Sequence, residues 1–288
     1  MTGSDIIDDV YNLYCRCFPD LRVKYDNFLD KLDYRNTKRI TVIEDGKLAG
    51  VSLVSRNAVL LLCVDEMFRN KGYGTKLLQQ SEEMIADSGH DSIILGKGSS
   101  YLFQGVPFFS DRENCLFFEK RGYSADGESV DMTMELKDFF IDRVQIPDCP
   151  ENIVFRYVKD TEQEKLQLLR AVNLIDPDWC RYYENTKDFV LAAEEEGELI
   201  GAAIISKSGA PFCPEGSQTT GEIGCVGVVP KARKKGIGLR LVAMGTDELK
   251  KMGSQTAYIG YTHLEDWYAS LGYKPFMRFW MGQKIVRT

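Results

Sequence analysis

The residues Ala58-Val-Leu-Leu-Leu-Cys-Val64 are apolar without a break, and such a run reads as a buried central strand. β-rich segments precede it at Lys38–Glu44 and Lys47–Ser55, joined by the hairpin signal Asp45-Gly46. Helical spacing marks Ile6–Phe18 and Tyr25–Leu32 before them, and Thr75–Ala86 after the central run. A short strand at Ser92–Leu95, a short helix at Cys115–Arg121 stopped by Gly122, and a strand over Tyr123–Leu136 complete the half. The same order then returns. Ile153–Tyr157 is a strand and Thr161–Val172 a helix. Asp188–Glu194 and Glu198–Ile205 make a hairpin, and Gly221–Val229 is the second central strand. A helix over Leu239–Met252, a strand over Gln255–Gly260, a helix over His263–Leu271 ending at Gly272, and a strand over Tyr273–Ile285 close the chain. The first half lacks the leading strand that the second half has.

Between the copies, residues 142–152 hold two prolines and no period, which reads as a linker. The expected division is 1–141, linker 142–152, and 153–288. Each part is long enough to bury a core, and the fold class is α/β, a mixed sheet flanked by helices, in tandem. The net charge of −7 disfavours nucleic acid as a partner and weakly suits a cationic one. No apolar run reaches membrane-spanning length, and the first residues carry acids rather than a basic leader. Eight cysteines without paired spacing, and only two histidines, argue against zinc and for reduced thiols in a cytoplasmic protein.

The chemistry-bearing segments are Arg69-Asn-Lys-Gly72-Tyr-Gly74 and Arg233-Lys-Lys-Gly236-Ile-Gly238, each placed after an apolar strand and before a helix. Glycine lets the backbone approach a ligand closely, and successive amides at a helix N-terminus attract an anion. Lys231, Arg233, Lys234, Lys235 and Arg240 gather at one site, and Arg69, Lys71 and Lys76 at the other. The P-loop pattern is missing, and Leu77 or Leu241 stands where a dinucleotide fingerprint needs glycine. A glycine turn before a basic surface helix is the plain alternative for one copy; two copies in one context favour a phosphate cradle.

An apolar strand, Arg/Gln-x-x-Gly-x-Gly/Ala and a helix resemble the acyl-CoA diphosphate motif of the GNAT acetyltransferase superfamily. The downstream segments Phe117-Phe-Glu-Lys-Arg-Gly-Tyr123 and Trp267-Tyr-Ala-Ser-Leu-Gly-Tyr273 resemble it too. The resemblance covers nearly the whole chain, in the layout of tandem acetyltransferases of the mycothiol synthase type. It implies an acyl-CoA-dependent N-acyltransferase with acetyl-CoA as donor. The implied donor-binding positions are Val226, Gly227, Val228, Arg233, Lys234, Lys235, Gly236, Ile237, Gly238 and Leu239. Their counterparts are Leu62, Cys63, Val64, Arg69, Asn70, Lys71, Gly72, Tyr73, Gly74 and Thr75. The strand residues among these would pair with the two amides of the pantetheine arm.

The resemblance also implies a base on the central strand and an acid in the late helix. Glu222, eleven residues before Arg233, takes the first role, and Tyr268, four before Gly272, the second. The same counts in the first half fall on Ala58 and Phe118, which cannot move a proton. An ordinary carboxyl is too acidic to act as a base at neutral pH unless its pKa is raised or water relays the proton. Glu222 as an exposed strand carboxylate, and Tyr268 as an aromatic packed beside Trp267, remain the plain readings. The family's asparagine position holds Tyr261, a departure that leaves that contact open. Regular pleating puts Cys225 on the face opposite Glu222; a bulge would change that, and the resemblance implies a bend there.

Ile175–Tyr183 and Lys207–Thr220 are the candidate acceptor-side segments, with Asp176, Asp178 and Glu184 available to a cation. The first half also carries an insertion around residues 97–111, with the aromatic stretch Tyr101–Phe109, expected to plug an empty acceptor site or to pack against the other domain, with an ordinary ordered insertion as the plain alternative. Direct acetyl transfer to a small primary amine in the second half is the leading expectation. An acyl-CoA-binding regulatory module and a protein lysine acetyltransferase are the alternatives.

Overall fold

The computed structural model describes residues 3–97, 102–108 and 112–286. In chain order the elements are α1 Gly3–Cys17, α2 Tyr25–Lys31, β1 Lys38–Glu44, β2 Lys47–Ser55, β3 Ala58–Val64, α3 Tyr73–Asp87, β4 Ser92–Leu95, β5 Val106–Phe108, α4 Glu113–Glu119 and β6 Ser124–Glu135. They continue with β7 Ile153–Tyr157, α5 Glu162–Ile175, α6 Cys180–Asn185, β8 Phe189–Glu195, β9 Glu198–Ser206, β10 Thr220–Val228, α7 Ile237–Lys251, β11 Thr256–Thr262, α8 Glu265–Ala269 and β12 Lys274–Ile285. Among the described residues no helix is long and apolar enough to cross a membrane.

Two compact units emerge. The first comprises Met1–Val130, Pro211–Glu215 and Met277–Thr288; the second comprises Asp131–Ala210 and Gly216–Phe276. In the first, strands lie in the order β1-β2-β3-β4-β12, with β5 also on β12. The β1–β2 turn is made by Asp45 (φ 49°) and Gly46 (φ 74°), the left-handed pair that a tight hairpin requires. Helix α3 buries Leu77, Leu78 and Ile85. Trp280 of β12, 1% exposed, is the large residue of the core that also holds Val54, Val59 and Phe118. In the second unit the order is β6-β11-β10-β9-β8-β7, with α7 burying Ile237, Leu241, Val242 and Leu249.

These units do not coincide with the ranges 1–141 and 153–288. The strand expected to close the first half runs into the second unit from Asp131. The last strand of the chain closes the first unit instead, with Gln283 opposite Ile94. The physical reason is that a sheet edge accepts any strand whose alternation suits its faces, and both closing strands carry such a pattern. The first unit has no counterpart of β7 among its described residues.

Candidate active site

Both glycine loops have the same shape. Asn70 (φ 61°) and Gly72 (φ 84°) are matched by Lys234 (φ 63°) and Gly236 (φ 72°). The signature arginine folds back in each copy. Arg69 Nε donates to the Val64 carbonyl at 3.2 Å, and Arg233 Nε to the Val228 carbonyl at 3.0 Å. Each arginine thereby staples its loop to the end of the central strand. Helices α3 and α7 begin at Gly72 and Gly236 with no side-chain cap, so their first amides have no intrahelical partner. Gly74 and Gly238 give room to an aromatic of the late helix: an added Cβ would stand 3.4 Å from Phe117 and 3.0 Å from Trp267.

The cradles differ in what surrounds them. In the first unit a cavity of about 560 Å³ is lined by every first-half residue expected to bind the donor except Lys71. The Lys71 ammonium lies over the Phe68 ring instead. A Cβ on Gly72 would meet nothing within 4 Å, so the loop backbone is open to a ligand. Tyr73 gives its hydroxyl proton to Glu44, and Thr75 Oγ1 accepts from Arg121 Nη2 at 2.6 Å. Arg121, stacked on Phe117, is a cation in this groove that the motif did not point to. In the second unit a Cβ on Gly236 would stand 2.8 Å from the Pro147 carbonyl oxygen, so the connecting segment runs against that turn. Lys235 pairs with Glu195 at 3.2 Å, Lys234 is exposed, Ile237 is buried, and Leu239 is half-buried.

Each central strand carries one extra residue against its hairpin partner. In β3 Val59 and Leu61 face Val54 and Leu53; in β10 Gly224 and Gly227 face Ile204 and Ala202. On its other side β10 pairs with β11 from Thr220 to Glu222, and β3 pairs with β4 at Ala58 and Val59. Beyond those points the parallel neighbours diverge, which leaves a strand edge for an extended ligand. Gly227 is closely covered: Ile175 Cγ2 and Trp179 would lie 2.3 and 3.0 Å from a Cβ there. Cys225 holds φ 50°, and its carbonyl accepts the Tyr183 hydroxyl at 2.7 Å. Residues of segment 175–183 thus cap the bulge. Asp176 Oδ1 accepts from Asp178 N at 3.0 Å, and Glu184 is exposed.

Glu222 is half-buried at the bulge, with its carboxylate beside Gly209 and Gly260. Tyr268 is buried against Trp267 (4.7 Å, edge-on) and Tyr273 (6.1 Å). Phe118 repeats that packing with Phe117 (5.0 Å) and Tyr123 (5.7 Å), so Phe118 and Tyr268 are equivalent in space as well as in count. Burial, reinforced by Cys225, holds the Tyr268 phenol well above its ordinary range. Burial, with Glu222 and Asp176 adding to it, pushes the Cys225 thiol up to about 12. The extra residue and the left-handed φ break the two-residue period at Cys225, so regular pleating does not carry from Glu222 past the bulge. His263 is exposed and stacks edge-on with Tyr261.

One residue of this region escaped sequence reasoning. Asp131, fully buried, accepts the Tyr258 hydroxyl and the Tyr261 amide, the latter at 2.8 Å. It fixes the end of β11, where Tyr261 takes φ 53° before the turn to Tyr268. Its only signal was a charge set between Val130 and Met132. Of the segment Lys207–Thr220, residues 211–215 join the first unit, where Phe212 stacks on Phe103 at 5.9 Å. In the aromatic insertion, residues 102–108 pack within the first unit, with Phe103 also against Phe18 at 5.2 Å, while Tyr101 and Phe109 lie outside the described residues.

The model of the acetyltransferase (GNAT) family matches residues 7–109 and 156–273, one match in each repeat. The chain belongs to the GNAT acetyltransferase family. It is 25% identical over 219 residues to a mycothiol acetyltransferase of Renibacterium salmoninarum, which covers 72% of this chain and 62% of that protein. Among solved structures it resembles a GCN5-related glucosamine N-acetyltransferase region of a fungal multi-domain GH3 β-N-acetylglucosaminidase. The TM-score there is 0.81 at 24% identity, over 98% of this chain and 37% of that one. It also resembles a tandem GNAT protein from the clavulanic acid biosynthesis pathway, with a TM-score of 0.70 at 14% identity over 100% and 97% of the two chains. These likenesses establish the tandem GNAT fold.

Proposed function

We propose that this GNAT chain is a cytoplasmic N-acetyltransferase that moves an acetyl group from acetyl-CoA to a small primary amine in its second unit. One observation carries the assignment to that unit. Tyr268 and Phe118 occupy matching aromatic nests, and only Tyr268 has a proton to give. Glu222 likewise stands where the first repeat has the buried Ala58. Glu222, directly or through water, takes the proton of the attacking amine. The amides at Gly236, Ile237 and Gly238 hold the donor's diphosphate, and the free edge of β10 at Val226–Val228 lies along its pantetheine arm. Tyr268 donates to the departing thiolate. Its raised pKa keeps it protonated at all working pH values, at the cost of a weaker driving force for the transfer. Burial keeps Cys225 a neutral thiol, which supports direct attack over an acyl-enzyme.

A small amine acceptor is supported by the mycothiol acetyltransferase relative and by the glucosamine N-acetyltransferase region among the neighbours. The open groove of the first unit supports a second role there, acyl-CoA binding without turnover. CoA release from acetyl-CoA with glucosamine, other amines and lysine peptides as acceptors tests the proposal. Turnover with a small amine is expected. Turnover with peptides alone would make the chain a protein lysine acetyltransferase, and binding without any product would leave only the regulatory module.

A further inference from the structure

Two thiols that the transfer chemistry does not use meet in the first unit's groove. Cys17 ends α1 and Cys63 lies on β3; both line the cavity, and the two thiols influence each other electrostatically. Cys17 Sγ donates to the Val64 carbonyl at 3.5 Å, the same oxygen that receives Arg69 Nε. The guanidinium of the diphosphate loop therefore sits beside this sulfur. Cys63 is 4% exposed, while Cys17 is half-buried and faces the groove. The second unit has no such pair, since Gly227 occupies the position of Cys63.

We propose that Cys17 and Cys63 form a redox site in the first unit that reacts selectively with the disulfide of coenzyme A. This rests on the reading of that groove as a CoA site. The Cys17 thiolate attacks one sulfur of the CoA disulfide. The sulfur–sulfur bond breaks, one CoA leaves as thiolate and takes up a proton, and the other stays bonded to Cys17. Cys63 then loses its proton to solvent and displaces the second CoA, closing a Cys17–Cys63 disulfide. The thiol pair is oxidised and the CoA disulfide reduced, electron for electron. The arrangement divides the roles. Hydrogen bonding from Cys63, aided by Arg69 and opposed by burial, holds the Cys17 thiol below its ordinary range, whereas Cys63 is raised. Cys17 is thus the attacking sulfur and Cys63 the resolving one. Selectivity comes from the loop amides at Gly72–Thr75, which grip a diphosphate that glutathione lacks.

The test uses the whole chain, intact-mass spectrometry and peptide mapping, with CoA disulfide and glutathione disulfide as oxidants. Equilibrium binding of desulfo-CoA, which has no thiol, reports the groove independently. Expected are a CoA adduct at Cys17 that converts to a Cys17–Cys63 disulfide, a C63S or C63A chain arrested at the adduct, and no adduct at this site in C17S. Glutathione disulfide is expected to react at least about tenfold more slowly, the factor that one lost charge-assisted contact produces. Desulfo-CoA binding with modification only at the exposed Cys15, or equal rates for the two oxidants, overturns the redox site and leaves the groove. Failure of desulfo-CoA to bind the first unit overturns both.

Discussion

Asp131 offers the sharpest structural prediction, because the second unit depends on it although it precedes the linker. Its carboxylate accepts from the Tyr258 hydroxyl and the Tyr261 amide in a fully buried setting. In Asp131→Ala both donors lose this acceptor. Each such loss costs about 1–3 kcal/mol, so the sum is about 2–6 kcal/mol. In Asp131→Asn the remaining oxygen still receives the Tyr261 amide, and the Tyr258 hydroxyl can turn to accept from the new NH₂ group. That change should cost about 1 kcal/mol or less. In a domain of this size a loss of about 3 kcal/mol lowers Tm by about 6–12 °C. Thermal unfolding of the two variants beside the parent measures the difference. The alanine chain should melt well below the asparagine chain. It should also lose transfer, because the end of β11 that leads to Tyr268 is released. Equal melting of the two, within about 0.5 kcal/mol, would refute the role of the carboxylate as a shared acceptor.

Three further outcomes follow from the site. Gly227→Ala places a methyl 2.3 Å from Ile175 Cγ2, an overpacking worth about 1–3 kcal/mol, and denaturant melts should register it; an unchanged midpoint would mean the cap over β10 is loose. Cys225, with its thiol raised to about 12, should be alkylated by iodoacetamide at least about tenfold more slowly than the exposed Cys15, and Cys225→Ser should retain transfer; a trapped acetyl-Cys225 would contradict direct attack. As the proposed proton donor with a raised folded pKa, Tyr268 stays protonated as pH climbs through the ordinary tyrosine range. The transfer rate should therefore show no alkaline limb from this group up to about pH 10, where an ordinary tyrosine would give one; such a limb, abolished by Tyr268→Phe, would count against the assignment.

What the sequence revealed was local. Ala58–Val64 is a strand with the bounds its apolar run prescribes, and both glycine turns have the left-handed residues that their motif demands. Glu222 and Tyr268 were proposed by counting from those fixed points. What stayed hidden was non-local or too short. No pattern in 124–135 or 274–285 records which β-edge each will join, so the exchange of closing strands was illegible. β5 has three residues, below the length at which alternation means anything, and α6 has six, too few to display a helical period. The face of Cys225 could not be read by alternation, because a period of two fails at a bulge. Asp131 passed unnoticed because a lone acid in a strand usually faces water.

The central claim is that proton transfer in the second unit performs the chemistry. Steady-state acetyl transfer to a turned-over small amine should be measured for the parent, Glu222→Gln, Tyr268→Phe and a first-unit Gly72→Val variant. The account predicts that kcat falls by about 10²–10⁴-fold in the first two and stays near the parent value in the third. Full activity in Glu222→Gln and Tyr268→Phe, with turnover lost in Gly72→Val, would move the reaction to the other groove and contradict it.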